Sequence, residues 1–159
     1  MITPDNDGTV NALLIYLQQY LNQQATSYYQ SIGQPPAEAV VGLASVQSDL
    51  NSVLKLPLLA CYRTSFSGED MEYSAANIDY FPFTSVQKVP HQSGLFSWVC
   101  KHIAIALDNY NNMEHGCLRI LPSQGSASIR YARIERKNGP LIIPFLRYPI
   151  EFEDFDNPA

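Results

Sequence analysis

Three histidines, three cysteines and two groups of carboxylates are the residues in this sequence with chemistry to offer. His91, His102 and His115 are potential bases or metal ligands, and Cys61, Cys100 and Cys117 are potential nucleophiles. Their spacing assembles none of them into a working pair. Cys100 and His102 stand two apart, which on a helix points them to different faces, away from proton transfer. His115 and Cys117 can meet in a turn, but no Asn or Asp follows at a spacing that would orient the imidazole. Metal-ligand spacings such as CxxC, HxxxH and HExxH are absent.

The carboxylates fare no better. Glu69, Asp70 and Glu72 share one polar stretch, and Glu151, Glu153, Asp154 and Asp156 share another. A calcium loop needs oxygen ligands alternating around a glycine, which neither stretch supplies, so both read as solvated acidic faces. The glycines are scattered, and Gly94 stands alone at a helix start, so no phosphate-cradling loop exists. His102 reads as a core-edge residue, His91 as solvent-facing, and His115 as a cation at a helix end, where the macrodipole favours it. These readings leave no catalytic constellation, no cofactor site and no metal site, and the expectation is a protein that is not an enzyme.

The elements that carry these residues centre on Ser93–Asn112. Leu95, Trp98, Val99, Ile103, Ala106, Leu107 and Tyr110 recur there at intervals of three and four, so one helix face is apolar throughout. Ser93 can cap its first turn, and Gly116 follows its Asn-rich end. The single tryptophan, Trp98, is expected to be buried against a strand over 58–62.

An earlier amphipathic helix starts at Thr9 and carries Val10, Leu13, Leu14, Leu17 and Leu21 on one face, with Asn and Gln opposite, to Gln24 or beyond. Gly33–Pro36 breaks the chain; in 37–55 Val40 and Val41 suit a strand while Leu43, Val46, Leu50 and Val53 suit a helix, and the segment reads as loop and short helix. Leu56–Thr64 is a nearly continuous apolar run, the mark of a strand covered on both faces. Ile78–Phe83 is a second strand with Pro82 at its end or edge. Cys117–Leu121 is a short strand. Ala127–Arg136 alternates except at Tyr131 and Ile134, which a bulge near Ala132 or Arg133 would reconcile. Asn138-Gly139 then turns the chain into a return arm, Leu141–Phe152. The reading is one α+β domain over 1–159 with a mixed, mainly antiparallel sheet, two main helices packed on it and the order αββαββ. Residues 1–8 and 153–159 are expected to be flexible ends.

A chain of 159 residues can bury roughly two-thirds of its unfolded surface. Its 46% hydrophobic content supports a core, while 16% charged residues, against about a quarter ordinarily, leaves much neutral polar surface of the kind that meets partners. With net charge −5 and no run of Lys or Arg, non-specific nucleic-acid binding is not expected. No apolar stretch has the length of a membrane span and residues 1–12 lack a basic signal-peptide start, so a reducing cytoplasm and no membrane partner are expected. Cys61, Cys100 and Cys117, odd in number, read as buried free thiols.

The layout resembles the tail terminator and neck-ring proteins of tailed bacteriophages. The shared features are an amphipathic first helix, a Leu-Pro-led strand ending in Tyr-Arg (Leu56–Arg63), the strand IDYFPF, a long helix with an early aromatic (Trp98) and a closing β-hairpin. The similarity covers roughly 9–152. It implies a non-enzymatic structural virion protein without cofactors, forming a ring, usually a homo-hexamer. Such a ring caps the tail tube and joins it to the head through a neck or connector protein, with sheath protein as a further partner in a contractile tail. It also implies assembly in the host cytoplasm, and a channel through which DNA passes without specific binding, which an acidic chain suits. A closed ring needs two different patches per subunit. The candidates are the tyrosine-rich end of the first helix, Tyr20, Tyr28 and Tyr29, and the hairpin 127–152, whose Ile142, Ile143, Phe145 and Leu146 exceed what one sheet face can bury. The alternative is a monomeric or dimeric α+β domain that binds a partner or ligand.

Overall fold

The computed structural model describes residues 7–31, 33, 38–46, 55–82, 93–113, 118–122, 126–135 and 137–154. Helix α1 (Gly8–Ser31) buries Val10, Leu13, Leu14, Leu17, Leu21 and Ala25, the face that its periodicity demands. It runs about two turns past Gln24. The Asp7 carboxylate caps it by accepting from the Val10 amide at 3.2 Å, and Arg63 Nε binds the same carboxylate at 2.7 Å. Asp7 and Gly8 therefore belong to the folded domain rather than to a flexible lead-in.

Helix α2 (Ser93–Asn111) buries Phe96, Val99, Ile103, Ala106, Leu107 and Tyr110. That stripe is centred so that Trp98 falls on its margin. Trp98 packs against the main core, which holds Leu59 and Cys61 of the 58–62 strand, but is half-buried rather than largely covered, with its ring 4.5 Å from the His102 ring. Phe96 takes the inner position instead.

The strands are β1 (Gly42–Ala44), β2 (Leu58–Ser67), β3 (Tyr73–Phe81), β4 (Leu118–Pro122), β5 (Ser128–Ile134) and β6 (Leu141–Asp154). They form one sheet in the order β1-β2-β3-β6-β4, with β5 also paired to β6. Only the β1–β2 pairing is parallel. The α+β class and the αββαββ layout are therefore what the chain adopts, with the short strands β1 and β4 filling the two edges. The segment expected to hold a short helix contributes β1 instead; 47–54 lie outside the described residues. Val41 and Gly42 amides donate to the Pro57 carbonyl at 2.9 and 3.0 Å. A Cβ on Gly42 would collide with the Lys55 carbonyl, so this close approach requires glycine.

Both helices cover one sheet face. There Leu59, Cys61, Ala76, Ile78, Tyr80, Ile120, Leu146, Ile150 and Phe152 join the helix stripes in the main core. Leu58, Phe81, Ile143 and Phe145 form a smaller cluster on the other face. Two helix side chains close the sheet edges. Asn22 donates to the Val40 carbonyl (2.9 Å) and accepts from its amide (2.8 Å), and Asn111 does the same at Ile120, accepting at 2.8 Å. Each amide occupies backbone groups that would otherwise template another strand.

β6 is the longest strand and works on two sides. Its residues 146–153 pair with β3, while on its other side 141–147 pair with β5 and 150–154 with β4. Glu153 and Asp154, expected in a flexible end, lie within it, and the Asp154 amide donates to the Glu72 carbonyl at 2.7 Å. The first five residues of β6 run past the end of β3 and, with β5, make a two-stranded arm. The expected bulge near Ala132 is absent, because the β5–β6 register is unbroken from Ser128↔Arg147 to Ile134↔Leu141. Ala132 and Ile134 face the second cluster while Ile129 and Tyr131 face the opposite side, so both faces of the arm are apolar.

Candidate interaction surfaces

The residues with intrinsic reactivity are dispersed. Cys61 is a free thiol in the main core, and burial pushes it up to about 12, far from a thiolate at neutral pH. Cys100 is also free and half-buried on α2, raised by burial as well. His102 sits between Trp98 and Tyr20, 6.1 Å from the latter ring, and burial followed by Lys101 lowers it. Its buried Nδ1 has no hydrogen-bond partner among the described residues, which favours the neutral ring. His91, His115, Cys117 and Asp156 lie outside the described residues. Among those described, no three His, Cys, Asp or Glu side chains gather as a metal would require.

A buried polar network centres on Asp79, and its signal in the sequence is a lone Asp inside the strand IDYF. Asp79 on β3 accepts from Arg147 Nε and Nη2 of β6, both at 2.9 Å, and from the Tyr62 hydroxyl of β2 at 2.7 Å. Arg147 Nη2 also donates to Tyr62 at 2.8 Å. Burial first, then the bond to Asp79, pushes the Tyr62 hydroxyl up to about 12; the Asp79 bond likewise raises Arg147. Tyr62 and Arg147 thus hold their protons firmly and both donate to Asp79. The network fixes β2, β3 and β6 against one another.

The tyrosines separate into two environments. Tyr20 packs on the main core beside Tyr16, with ring centroids 6.4 Å apart. Tyr28 and Tyr29 meet edge to face at 5.7 Å and line a groove of about 510 Å³ between the end of α1 and the start of α2. Trp98, Tyr80 and Pro57 form its other walls.

The arm presents the clearest unsatisfied surface. Ile143, Phe145 and Leu146, expected to face a neighbour, are covered by the chain's own two cores. The hairpin can bury more than one face because the sheet carries a cluster on each side. Of the four hairpin candidates only Ile142 remains open, at 45% exposure, and Ile129 (44%) and Tyr131 (70%) lie beside it on the same face of the arm. Sequence reasoning missed Ile129 and Tyr131 as surface residues because it sought a bulge to turn Tyr131 inward. The β2–β3 turn carries a second open pair, Phe66 (58%) and Met71 (62%), beside the carboxylates read from the sequence as a solvated face.

No protein-family model matches the chain, and no curated protein matches it either. Among the described residues no helix is long and apolar enough to cross a membrane.

Proposed function

We propose that the chain is a structural subunit of a closed ring, the tail-terminator or neck ring of a tailed-phage virion, which caps the tail tube and joins it to the head. The observation that carries this reading is the β5–β6 arm. It leaves a stable αββαββ body with Ile129, Tyr131 and Ile142 open to solvent on one face. A contiguous apolar face on a strand pair marks an association surface. Among the described residues, the Asp79 network is satisfied within the body. The resemblance in element order supports the same assignment, and its remaining terms, host assembly and a homo-hexamer, belong to the proposal. The test is light scattering and negative-stain microscopy of the purified protein, alone and with tail tubes. Rings or capped tubes of fixed length are expected. A monomer that leaves tube lengths and ends unchanged would overturn it.

The groove beneath Tyr28, Tyr29 and Trp98 favours a second reading, a monomeric or dimeric domain that binds a ligand or partner there. Aromatic walls around a concave space are common to small-molecule sites. A monomer whose melting temperature rises with an added aromatic ligand, and falls back with Trp98→Ala, would select this reading.

A further inference from the structure

The arm and the β2–β3 turn lie at opposite ends of β3, roughly 30 Å apart for nine residues in extended chain. Their charges oppose. Residues 127–140 hold four of the ten Lys and Arg and one of the fifteen Asp and Glu, a local +3 that leaves −8 on the rest of the chain. Arg130, Arg133 and Lys137 of that arm are exposed; Arg133 shares the face of Ile129, Tyr131 and Ile142 and pairs with Glu135 at 2.6 Å, while Arg130 projects from the other face. The segment 66–72 has Glu69, Asp70 and Glu72 and no cation. Each end thus combines open apolar side chains with charge of one sign.

The acidic end is held by local contacts. Gly68 has φ +91°, and a side chain there would meet the Glu72 carboxylate. That carboxylate accepts from the Asp70 amide at 2.9 Å, and Met71 follows with φ 56°. The turn is folded on itself, so Phe66 and Met71 are held outward and little order must be gained on docking.

We infer that the basic arm of one copy docks on the acidic β2–β3 turn of the next, head to tail. This rests on the self-association in the ring reading and names the two surfaces that perform it. Arm against arm would set two cationic patches together, and turn against turn two anionic ones, so a two-fold contact through either end is disfavoured. Arm against turn matches Ile129, Tyr131 and Ile142 with Phe66 and Met71, and cations with carboxylates. A contact between two different patches repeats from copy to copy and closes into a ring when its rotation allows.

Two variants separate the surfaces. Arg133→Glu with Tyr131→Ser disables the arm, since both share the face of Ile142; Glu69→Lys with Asp70→Lys disables the turn. All four side chains are exposed, so unfolding midpoints should stay at the wild-type value. In analytical ultracentrifugation at low salt, wild type should associate and each variant alone should remain monomeric. An equal mixture should give a 1:1 dimer and nothing larger, since one sound arm and one sound turn remain. Added salt should weaken the contact, because exposed charges are screened over about 10 Å at 0.1 M. An arm variant that assembles like wild type overturns the inference, as does a mixture that stays monomeric. In both cases rings of wild type leave the ring reading standing. Wild type that is monomeric at its highest soluble concentration, or that takes up duplex DNA on the arm instead, also overturns it, whereas the ring reading is decided separately with tail tubes.

Discussion

The rings of Phe81 and Phe145 stack with centroids 4.5 Å apart and planes 22° from parallel. Phe81 ends β3, and Phe145 lies where β6 leaves the main sheet, so this pair anchors the arm on the face away from the helices. Leu58 and Ile143 complete the cluster. Offset aromatic pairs contribute about 0.5–1.5 kcal/mol beyond their buried area.

Substitution at Phe145 should therefore unfold the domain. Phe145→Ala is expected to cost about 3–5 kcal/mol, and Phe145→Asp more, because it buries a carboxylate with no partner. Urea denaturation followed by circular dichroism checks this. A folded Phe145→Asp protein with the wild-type midpoint would show that the ring faces solvent after all.

Removing Asp79 should be costly for a different reason. Asp79→Ala strips the carboxylate from a largely buried guanidinium, a change worth about 3–5 kcal/mol. Adding Arg147→Met removes the orphaned charge, so the double variant should lose less than the two single losses combined. Strict additivity in a double-mutant cycle would mean the two side chains do not interact.

Asp7 gives the fold a pH dependence. Burial acts to raise its carboxyl, but the Arg63 hydrogen bond and the α1 amides outweigh it and hold the group below its usual 3.8. A depressed carboxyl stabilises the fold above the unfolded value, and that stability is lost as pH falls through the folded one. Asp7→Asn keeps a capping oxygen and loses the charge. Its stability deficit should be full above about pH 5 and shrink towards pH 3. A deficit that stays constant from pH 7 to pH 3 would assign the effect to capping alone.

Thiol labelling should follow depth. Mass mapping after brief native exposure to a maleimide should find Cys100 modified before Cys61, which is wholly inside the main core. Reductant should leave the melting temperature unchanged. Equal labelling of the two positions would place Cys61 closer to solvent than the core packing allows.

Much of this architecture was legible because long amphipathic stripes repeat their message. Leu13, Leu17 and Leu21 mark α1 by period alone, and Val99, Ile103 and Ala106 mark α2. The stripe's centre was harder to read. Trp98 drew attention by its size, yet Phe96 holds the inner position, so Phe96→Ala should destabilise more than Trp98→Ala in matched urea titrations. β1 escaped detection because three residues have no period, and its parallel pairing depends on the distant Pro57 carbonyl. The Asp79 network draws on three strands, with Tyr62 and Arg147 lying 17 and 68 residues from Asp79. Local pattern could show an odd Asp but not its partners. Ile142 was recognised as surplus apolar area; Ile143, Phe145 and Leu146 were misjudged because a second core on the far face cannot be inferred from one hairpin.

β6 has a bearing on how the fold is made. β3, β4 and β5 share no edge with one another and meet only through it. A nascent chain that has not yet emerged to residue 141 holds a β2–β3 hairpin, two helices and two strands without a common sheet. Its partner for Tyr73 is Glu153, 80 residues onward, so closure is a late, long-range event and slow by contact-order reasoning. Until then one edge of β3 stays unpaired and the main core lacks Leu146, Ile150 and Phe152, so a single late strand both joins the sheet and seals its interior.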